Sequence, residues 1–395
     1  MAELPGDAGN DDTPFAGFPM FADLARAMSG QGPLNWDLAR QFALLGATGG
    51  VSESNVDPSA RLAYADLAQI AALHVNDITG TDLSFPEPRV VTPGRWATDT
   101  LTAYRPLFTD LAHSLGQQPD SDEGDTPEVP MAAMLAGLGQ MMAPAMIGMA
   151  VGSMVGHLAT RVFGLHDLPI PRDQLDVVVV DHTIEAFCSE WELPVQEFRL
   201  WVMSHELSGY RLFSIAGLRD QLASLVRAHV GGFRPDPNAM TDYLSEMDMP
   251  DPSGDPMAAL QNTFSDPTIL LGAVQSPEQD ALRPRLDAAV AAVVGYVDWV
   301  VDAVAARTIG GEALRIAEAV RRRRSETTPD DVFIEKLLGI RVGDDQVKRG
   351  KDFVQGVVDR VGEAGLSRLL ELPGALPTPN DIEAPGLWIA RLDEA

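Results

Sequence analysis

The sequence predicts a mostly α-helical protein with a small β element near residues 176–181. Apolar residues make up 45% of the 395-residue chain and charged residues 22%, which is typical of a globular protein. Apolar residues recur at helical spacing along most of the chain. Only Asp176 to Asp181 forms a clear β-branched run bounded by polar residues, the pattern of a short strand.

Composition divides the chain into five regions. Segments rich in Asp, Pro and Gly separate the helical parts, and such segments are typical of loops and linkers. The predicted regions are a flexible acidic N-terminal segment (1–30), an N-terminal helical region ending in an acidic linker (31–130), a core region (131–230), a mobile insertion (231–270) and a C-terminal helical region (271–395).

Helices in the first half have recognisable start signals. Asn35 and Asp57 are candidate N-caps, because their side chains can accept hydrogen bonds from free backbone amides of a first turn. Pro194 suits the first position of the helix that carries His205. Residues 89–92 are predicted to be extended. In order, the predicted helices before residue 231 cover 21–28, 35–45, 57–74, 96–115, 131–142, 145–163, 184–191, 194 through His205, and 215–230.

The pattern is helical again after the insertion. Pro277 begins a long helix through Ala306, and the next helix, 309–324, ends in four consecutive arginines. Cations favour the negative end of a helix dipole, so we interpret Arg321 to Arg324 as solvated charge rather than as a phosphate contact. Shorter helices are predicted over 332–338, 344–361 and 366–370.

The stretch from Val129 to Thr160 has no charged side chain and is long enough to span a bilayer by the rule of about 20 residues. Its prolines and its Met- and Ala-rich composition favour buried helices instead. Gly148, Gly152 and Gly156, spaced by four, are expected to mark a face against which another element packs tightly. Membrane association is therefore the weaker interpretation.

Charge and cysteine content limit the partners and the compartment. The formal net charge of −28 repels phosphate backbones, so we expect no nucleic-acid binding. The single cysteine, Cys188, excludes an intrachain disulfide, and residues 1–12 lack the basic and apolar parts of a signal peptide. Both observations favour the cytoplasm.

One motif points to chemistry. His205 and Glu206 begin the pattern His-Glu-x-x-His, in which two histidines on one helix face bind zinc and the glutamate deprotonates a bound water. The second histidine position holds Gly209, so half of the pattern is missing. Without a metal, His205 would simply hydrogen-bond within the core.

Around this pair the chain resembles a bacterial zincin-like family whose members are labelled hydrolases or zinc-dependent metalloproteases and whose role is unsettled. The resemblance covers nearly the whole length. It rests on the segments 32–39, 198–201 leading into His205 and Glu206, 218–219, 271–274, 276–279, 295–298, 321–324, 333–339 and 376–378.

The resemblance implies a zincin-like fold and a set of metal ligands. The ligands would be two helix histidines and a glutamate on the later helix, just before Gly295. Of these, His205 carries over, with Glu206 as the catalytic-type carboxylate, while Gly209 and Val294 stand at the other two ligand positions. Catalytic zinc normally has three protein ligands, so zinc, usual in the family, is doubtful here.

Replacement ligands would have to come from elsewhere. Asp298 is one turn beyond Val294 on nearly the same helical face, and Asp302 and Tyr210 are further candidates. Two functions therefore stay open. One is a non-catalytic member that binds a protein or peptide in the old cleft. The other is an active zinc-dependent hydrolase with an altered ligand set, in which Glu206 is the base.

Overall fold

Helices dominate the structure, a computed structural model that describes residues 32–116, 130–235, 273–274, 276–326, 328–340 and 343–394. The predicted mostly α fold class is confirmed. The helices are α1 (Trp36–Thr48), α2 (Pro58–Thr79), α3 (Pro93–Ala103), α4 (Arg105–Gly116), α5 (Pro130–Ala159), α6 (Asp181–Glu190), α7 (Val195–Phe213), α8 (Ala216–Gly231), α9 (Pro277–Thr308), α10 (Ala313–Ser325), α11 (Pro329–Leu338), α12 (Asp344–Leu370), α13 (Pro379–Glu383) and α14 (Pro385–Asp393).

The predicted N-caps are in place. Asn35 Oδ1 accepts a hydrogen bond from the Leu38 backbone amide at 3.1 Å, and Asp57 Oδ1 accepts one from Ser59 at 2.8 Å. Each cap of this kind contributes about 1 kcal/mol to helix stability. These side chains therefore fix where α1 and α2 begin.

Helices α1 and α5 pack closely through the glycines of α5. A Cβ atom on Gly148, Gly152 or Gly156 would collide with backbone carbonyl oxygens of α1 or of the residue before it. The expectation that these glycines mark a tightly packed face is confirmed. Only residues without a Cβ allow the two backbones to approach this closely.

The prediction of two helices over 131–142 and 145–163 was wrong, because α5 is continuous through Pro144 and ends at Ala159. Proline removes one backbone amide and clashes with the preceding turn, which normally breaks a helix. Here α1 packs against the same helix, and the Asn35 amide donates to the Pro144 carbonyl oxygen at 2.9 Å. Tertiary packing therefore overrides the local signal.

The single helix predicted over 96–115 was also wrong, because the chain breaks at Tyr104 between α3 and α4. Pro106 has no backbone amide to donate to Thr102, and its ring would clash with that carbonyl group if one helix continued. In the first turn of α4, Pro106 needs no such bond. The break follows directly from the proline.

The β structure is small and lies beside α7. Strand β1 (Arg89–Val90) pairs in parallel with β2 (Val178–Val179), with Arg89 opposite Val178. The β element expected over 176–181 is thus present but shorter. A second pair, β3 (Arg234–Pro235) and β4 (Ala273–Val274), is antiparallel and was not predicted from the sequence.

Helix α9 lies in the middle of the molecule, where α2, α7, α8 and α12 pack around it. Of the described helices, α9 alone is long and apolar enough to cross a membrane by length and composition, and 83% of its most apolar window is buried in the protein. Such burial is typical of a core helix. The described part of the stretch considered above, Ala143–Ala159, belongs to the shorter apolar helices.

Much of the predicted domain organisation stays a prediction. The acidic N-terminal segment (1–30), nearly all of the linker (117–130) and most of the insertion (231–270) lie outside the described residues. Buried side chains from Leu34 to Leu392 form one hydrophobic cluster, which includes residues from both sides of these gaps.

Candidate functional site

Helix α7 carries the His-Glu pair through the interior of the protein. It contacts α2, α8 and α9, and most of its side chains from Phe198 to Phe213 are buried, including polar ones. The hydroxyl groups of Ser204 and Ser208 each donate to the carbonyl oxygen four residues earlier, at 2.8 and 2.6 Å. These serines are therefore satisfied within the helix.

The Glu206 carboxylate is fully buried and has hydrogen-bond donors on both oxygens. Oε2 accepts from the Leu165 backbone amide at 2.9 Å, and Oε1 accepts from the His166 amide at 3.0 Å. The His166 ring nitrogen Nδ1 lies 3.1 Å from Oε2. A carboxylate held by two backbone amides and an imidazole is strongly stabilised in its charged form.

The ionisation of the pair follows from these contacts. Burial acts to raise the pKa of Glu206, but the charge and hydrogen bond of His166, together with His205, outweigh burial and hold the pKa at about 2. His205 Nδ1 lies 3.7 Å from Glu206 Oε1. Burial acts to lower the pKa of His205, but Glu206, Asp167 and Asp298 outweigh it and raise the pKa above the ordinary value.

A tight loop, residues 163–167, delivers the two amides to Glu206. The Val180 amide donates to the Phe163 carbonyl oxygen at 2.8 Å, and Gly164 bridges to Val179, so the loop extends the small sheet. The Asp167 side chain accepts from the Gly164 amide at 2.8 Å. A Cβ atom at Gly164 would collide with the Glu206 carboxyl group, so this close approach requires glycine.

His166 occupies the space beside Gly209, the second ligand position of the motif. A Cβ atom built on Gly209 would lie 2.5 Å from His166 Cβ and 2.6 Å from its ring carbon Cδ2, far inside normal contact. The His166 ring stacks on Phe213 with 5.7 Å between centroids. A larger residue at 209 would therefore displace the His166 ring.

A cavity of about 20 Å³ lies between these groups, roughly the room for one water molecule. His205, Gly209 and Val294, the ligand positions that the resemblance implies, all line this cavity. The cavity is also lined by His166 and Arg324, which the sequence reasoning did not place there. Val294 is buried and offers no ligand atom.

Asp298 is engaged by Arg324 rather than free. Two guanidinium nitrogens of Arg324 donate to the two carboxylate oxygens, at 2.5 and 3.0 Å. Burial acts to raise the pKa of Asp298, but the Arg324 charge outweighs it and lowers the pKa. Of the other candidates, Asp302 pairs with Lys351, and Tyr210 packs on Phe85.

The arginine run divides into two kinds. Arg321 and Arg322 are exposed and pair with Glu318 on the surface, which agrees with the solvated interpretation. Arg323 and Arg324 turn inward, so the interpretation was wrong for them. The helix that carries the run packs one side against the protein, which a run of identical residues does not reveal.

The side chains around His205 do not fit a catalytic zinc ion. Such an ion needs three protein ligands, and in the described ranges no group of three His, Cys, Asp or Glu side chains is placed to hold a metal. Two side chains that line the cavity, His166 and His205, could bind a metal ion through an imidazole nitrogen. Asp298 would have to leave Arg324 to become a ligand.

A larger cleft of about 770 Å³ adjoins the small cavity and shares Asp167 and Arg324 with it. This volume is within the usual range for ligand pockets. Its wall combines apolar side chains of α5, α10 and α11 with several arginines and carboxylates. The site is therefore a closed polar cluster on α7 that borders an open cleft.

A mostly helical fold with a buried His-Glu pair on one helix agrees with the zincin-like class that the resemblance implied. The model of the family described as zincin-like metallopeptidase matches residues 34–389, and the chain belongs to this family. The expected family resemblance is thus confirmed. A comparison with curated proteins gave no match.

A solved structure shares the fold. It is the crystal structure of a protein from Chloroflexus aurantiacus described as a "putative hydrolase with a novel fold". The TM-score is 0.62 at 21% sequence identity, and the match covers 92% of this chain and 99% of the other. At this identity the similarity concerns the fold.

Proposed function

We propose that this protein is a non-catalytic member of the zincin-like metallopeptidase family, which binds a protein or peptide in the cleft beside the former metal site. The observation that carries the proposal is the Glu206 carboxylate. A general base needs an oxygen that a water can reach, whereas the Glu206 carboxylate is fully buried and both its oxygens accept hydrogen bonds from the loop 163–167.

Three further features support the loss of zinc binding. His166 fills the space that a histidine at position 209 would need, and Val294 stands where a glutamate ligand is expected. Arg324 places a fixed positive charge at the cavity, and a cation there opposes the binding of a divalent metal ion. Together these three residues leave two of the expected metal ligands missing and place a positive side chain where the metal ion would supply positive charge.

The cleft gives the protein a surface suited to a peptide. Its volume of about 770 Å³ and its mixture of apolar and charged wall residues are typical of binding clefts. Nucleic acid is an unsuitable partner for a chain with a net charge of −28. We also propose a cytoplasmic location, supported by the single buried cysteine, Cys188.

Zinc content tests this proposal directly. We expect purified protein to contain far less than one zinc per chain and to remain folded after chelation, as measured by elemental analysis and circular dichroism. Zinc titration should show no tight binding. A stoichiometric zinc ion that is lost in His205→Ala, with the fold intact, would refute the proposal.

A reconstruction tests the placement of the lost ligands. The variant carrying His166→Ala, Gly209→His and Val294→Glu frees the occupied space and restores two ligands, so we expect it to take up about one zinc per chain. The same variant with Val294→Gln is the matched control and should bind zinc more weakly. A folded triple variant that gains no zinc affinity would show that the ligand positions are wrong.

The alternative is an active zinc-dependent hydrolase with an altered ligand set. One observation favours it: His166 and His205 line the same cavity, and each has its Nδ1 near the Glu206 carboxylate. Carboxylates commonly orient metal-binding imidazoles in this way. The alternative requires bound zinc that disappears in both His166→Ala and His205→Ala, and hydrolysis of a peptide library that disappears with it.

A further inference from the structure

Two arginines lie side by side in the wall of the larger cleft. Arg161 follows α5 and Arg323 lies near the end of α10, and a guanidinium nitrogen of Arg323 donates to the Arg161 carbonyl oxygen. The Arg323 guanidinium is held flat over two rings, 4.4 Å from the centroid of Phe163 and 4.9 Å from that of Phe187. Its position is therefore fixed before any ligand arrives.

Among the described residues, neither arginine has a carboxylate within hydrogen-bond distance. In the described part of the chain Arg323 forms no ion pair, and the nearest carboxylate oxygen to Arg161, on Asp331, is 3.9 Å away. Other arginines of the same cleft are paired closely. Arg283 lies 2.7 Å from Glu335, and Arg349 lies 3.0 Å from Glu383.

Two neighbouring, partly buried cations are costly for the free protein when the nearest carboxylates lie beyond hydrogen-bond distance and compensate their charge only in part. Burial lowers the pKa of Arg323, and the neighbouring Arg161 charge acts in the same direction, against the opposite effects of Asp167, Glu190 and Glu326. An anion bound in the cleft within reach of both side chains would relieve this cost. Guanidinium groups bind carboxylates with two parallel hydrogen bonds, which gives both strength and orientation.

We propose that the Arg161 and Arg323 pair binds a carboxylate group of a peptide that lies in this cleft. Apolar side chains at the same wall, from Leu158, Val162, Val320 and Ile334, would contact the neighbouring side chains of the peptide. The proposal rests on the proposed function and specifies what the cleft recognises. A polyanion is an unsuitable ligand for this cleft, because the carboxylates of Asp331, Asp344 and Asp345 also line it and would repel further negative charge. The net charge of the protein, −28, adds to this repulsion.

Three synthetic peptides provide the test, with binding measured by isothermal titration calorimetry on the full chain as purified. The first is acetyl-Ala-Leu-Phe-Leu with a free terminal carboxylate, the second is its C-terminal amide, and the third is the amide with glutamate replacing alanine. We expect the amide to bind about tenfold to a hundredfold more weakly than the free acid, the usual effect of losing a charge-assisted pair.

The third peptide identifies the source of the carboxylate. Affinity equal to that of the free acid would assign the site to an acidic side chain, and affinity equal to that of the amide would assign it to a chain terminus. Either result agrees with the proposal if the free acid binds. Equal affinity for all three peptides, or no binding of any of them, would overturn it.

Variants locate the contact. Arg323→Gln and Arg161→Gln should each reduce the preference for the free acid over the amide about tenfold or more, whereas Arg322→Gln should leave it unchanged. Arg322 is the matched control, because it adjoins Arg323 but is exposed and pairs with Glu318. Since Arg323 also packs on two phenylalanine rings, Arg161→Gln tests the charge with less disturbance of the fold.

The outcome separates this inference from the proposed function. A peptide that binds equally as acid and amide, with an unchanged affinity in Arg161→Gln, would leave a peptide-binding cleft but remove the carboxylate pocket. Zinc content measured on the same samples tests the non-catalytic proposal independently of either result.

Discussion

Replacement of Glu206 by glutamine separates a structural carboxylate from a catalytic one. In the structure the two oxygens accept backbone amides of Leu165 and His166 at 2.9 and 3.0 Å. Glutamine has nearly the same shape as glutamate, but an amide NH2 group replaces one of the two carboxylate oxygens. One buried amide would therefore face another donor instead of an acceptor.

The expected loss of stability can be worked out from these contacts. An unsatisfied buried donor costs about 1–3 kcal/mol, and weakening the remaining charged hydrogen bonds to neutral ones costs roughly 1 kcal/mol more. The pKa gives a similar magnitude, because a decrease from 4.5 to about 2 in a fully buried group corresponds to about 3 kcal/mol at neutral pH. We therefore expect Glu206→Gln to lose about 2–4 kcal/mol.

Urea unfolding followed by circular dichroism at neutral pH measures this change. The matched control is Glu190→Gln, an exposed residue on α6, which should change stability by less than about 0.5 kcal/mol. A catalytic carboxylate behaves in the opposite way, because replacing a strained functional group usually leaves stability unchanged or increases it. Unchanged or increased stability in Glu206→Gln would refute the structural role.

The same pKa predicts the dependence of stability on pH. Because the pKa of Glu206 is lower in the folded protein than its ordinary value of 4.5, its contribution is complete above that pH. The contribution is lost as the pH falls from 4.5 towards about 2. In Glu206→Gln the acid limb of the stability curve should be flatter over this range.

Three further predictions concern the neighbouring groups. Gly164→Ala should lose about 1–3 kcal/mol in urea unfolding because its Cβ would enter the buried carboxyl group, whereas Gly217→Ala, with open space around it, should lose nothing. Arg324→Met should lose about 3–5 kcal/mol by leaving the Asp298 charge buried and unpaired, and Asp298→Asn with Arg324→Met should recover part of it. Because the pKa of His205 is raised, its stabilising effect should be complete below pH 6.5 and decrease as the pH rises above that value, which unfolding of His205→Gln between pH 5 and 9 would reveal.

The sequence predicted the helices best where local signals are strong. The caps at Asn35 and Asp57 and the proline starts of α7 and α9 are local features, and the structure has helices there. Pro144 shows the limit of such signals, because its effect depends on how α1 packs against α5. The pairing of β3 with β4 joins the beginning of the predicted insertion to the residues just after it, and no local pattern indicates it.

The site, too, was predictable only where the signal is local in the sequence. The family resemblance indicated that α7 and α9 lie next to each other at the site. The cavity is lined by His205, Gly209 and Val294, whereas the Glu206 carboxylate faces the loop 163–167. His166 was missed, because it lies 40 residues before Glu206 and meets it only in space. The glycine at 164 is a signal for close backbone approach, but the sequence does not say what approaches it.

The buried charges of the site are balanced by other groups of the protein, which supports the proposal that the fold does not depend on a metal ion. In an intact zincin site a divalent cation would balance the surrounding carboxylates. Here the balance comes from the protein itself. Arg324 neutralises Asp298, and the two amides of the loop with the His166 imidazole stabilise Glu206. Since each buried carboxylate already has its own donors, restoring the ligands alone would compete with these partners. Because His166 also fills the space beside Gly209, the reconstruction has to remove His166 as well. Zinc uptake that depends on this third substitution would support the proposal that groups of the protein itself have replaced the metal ion.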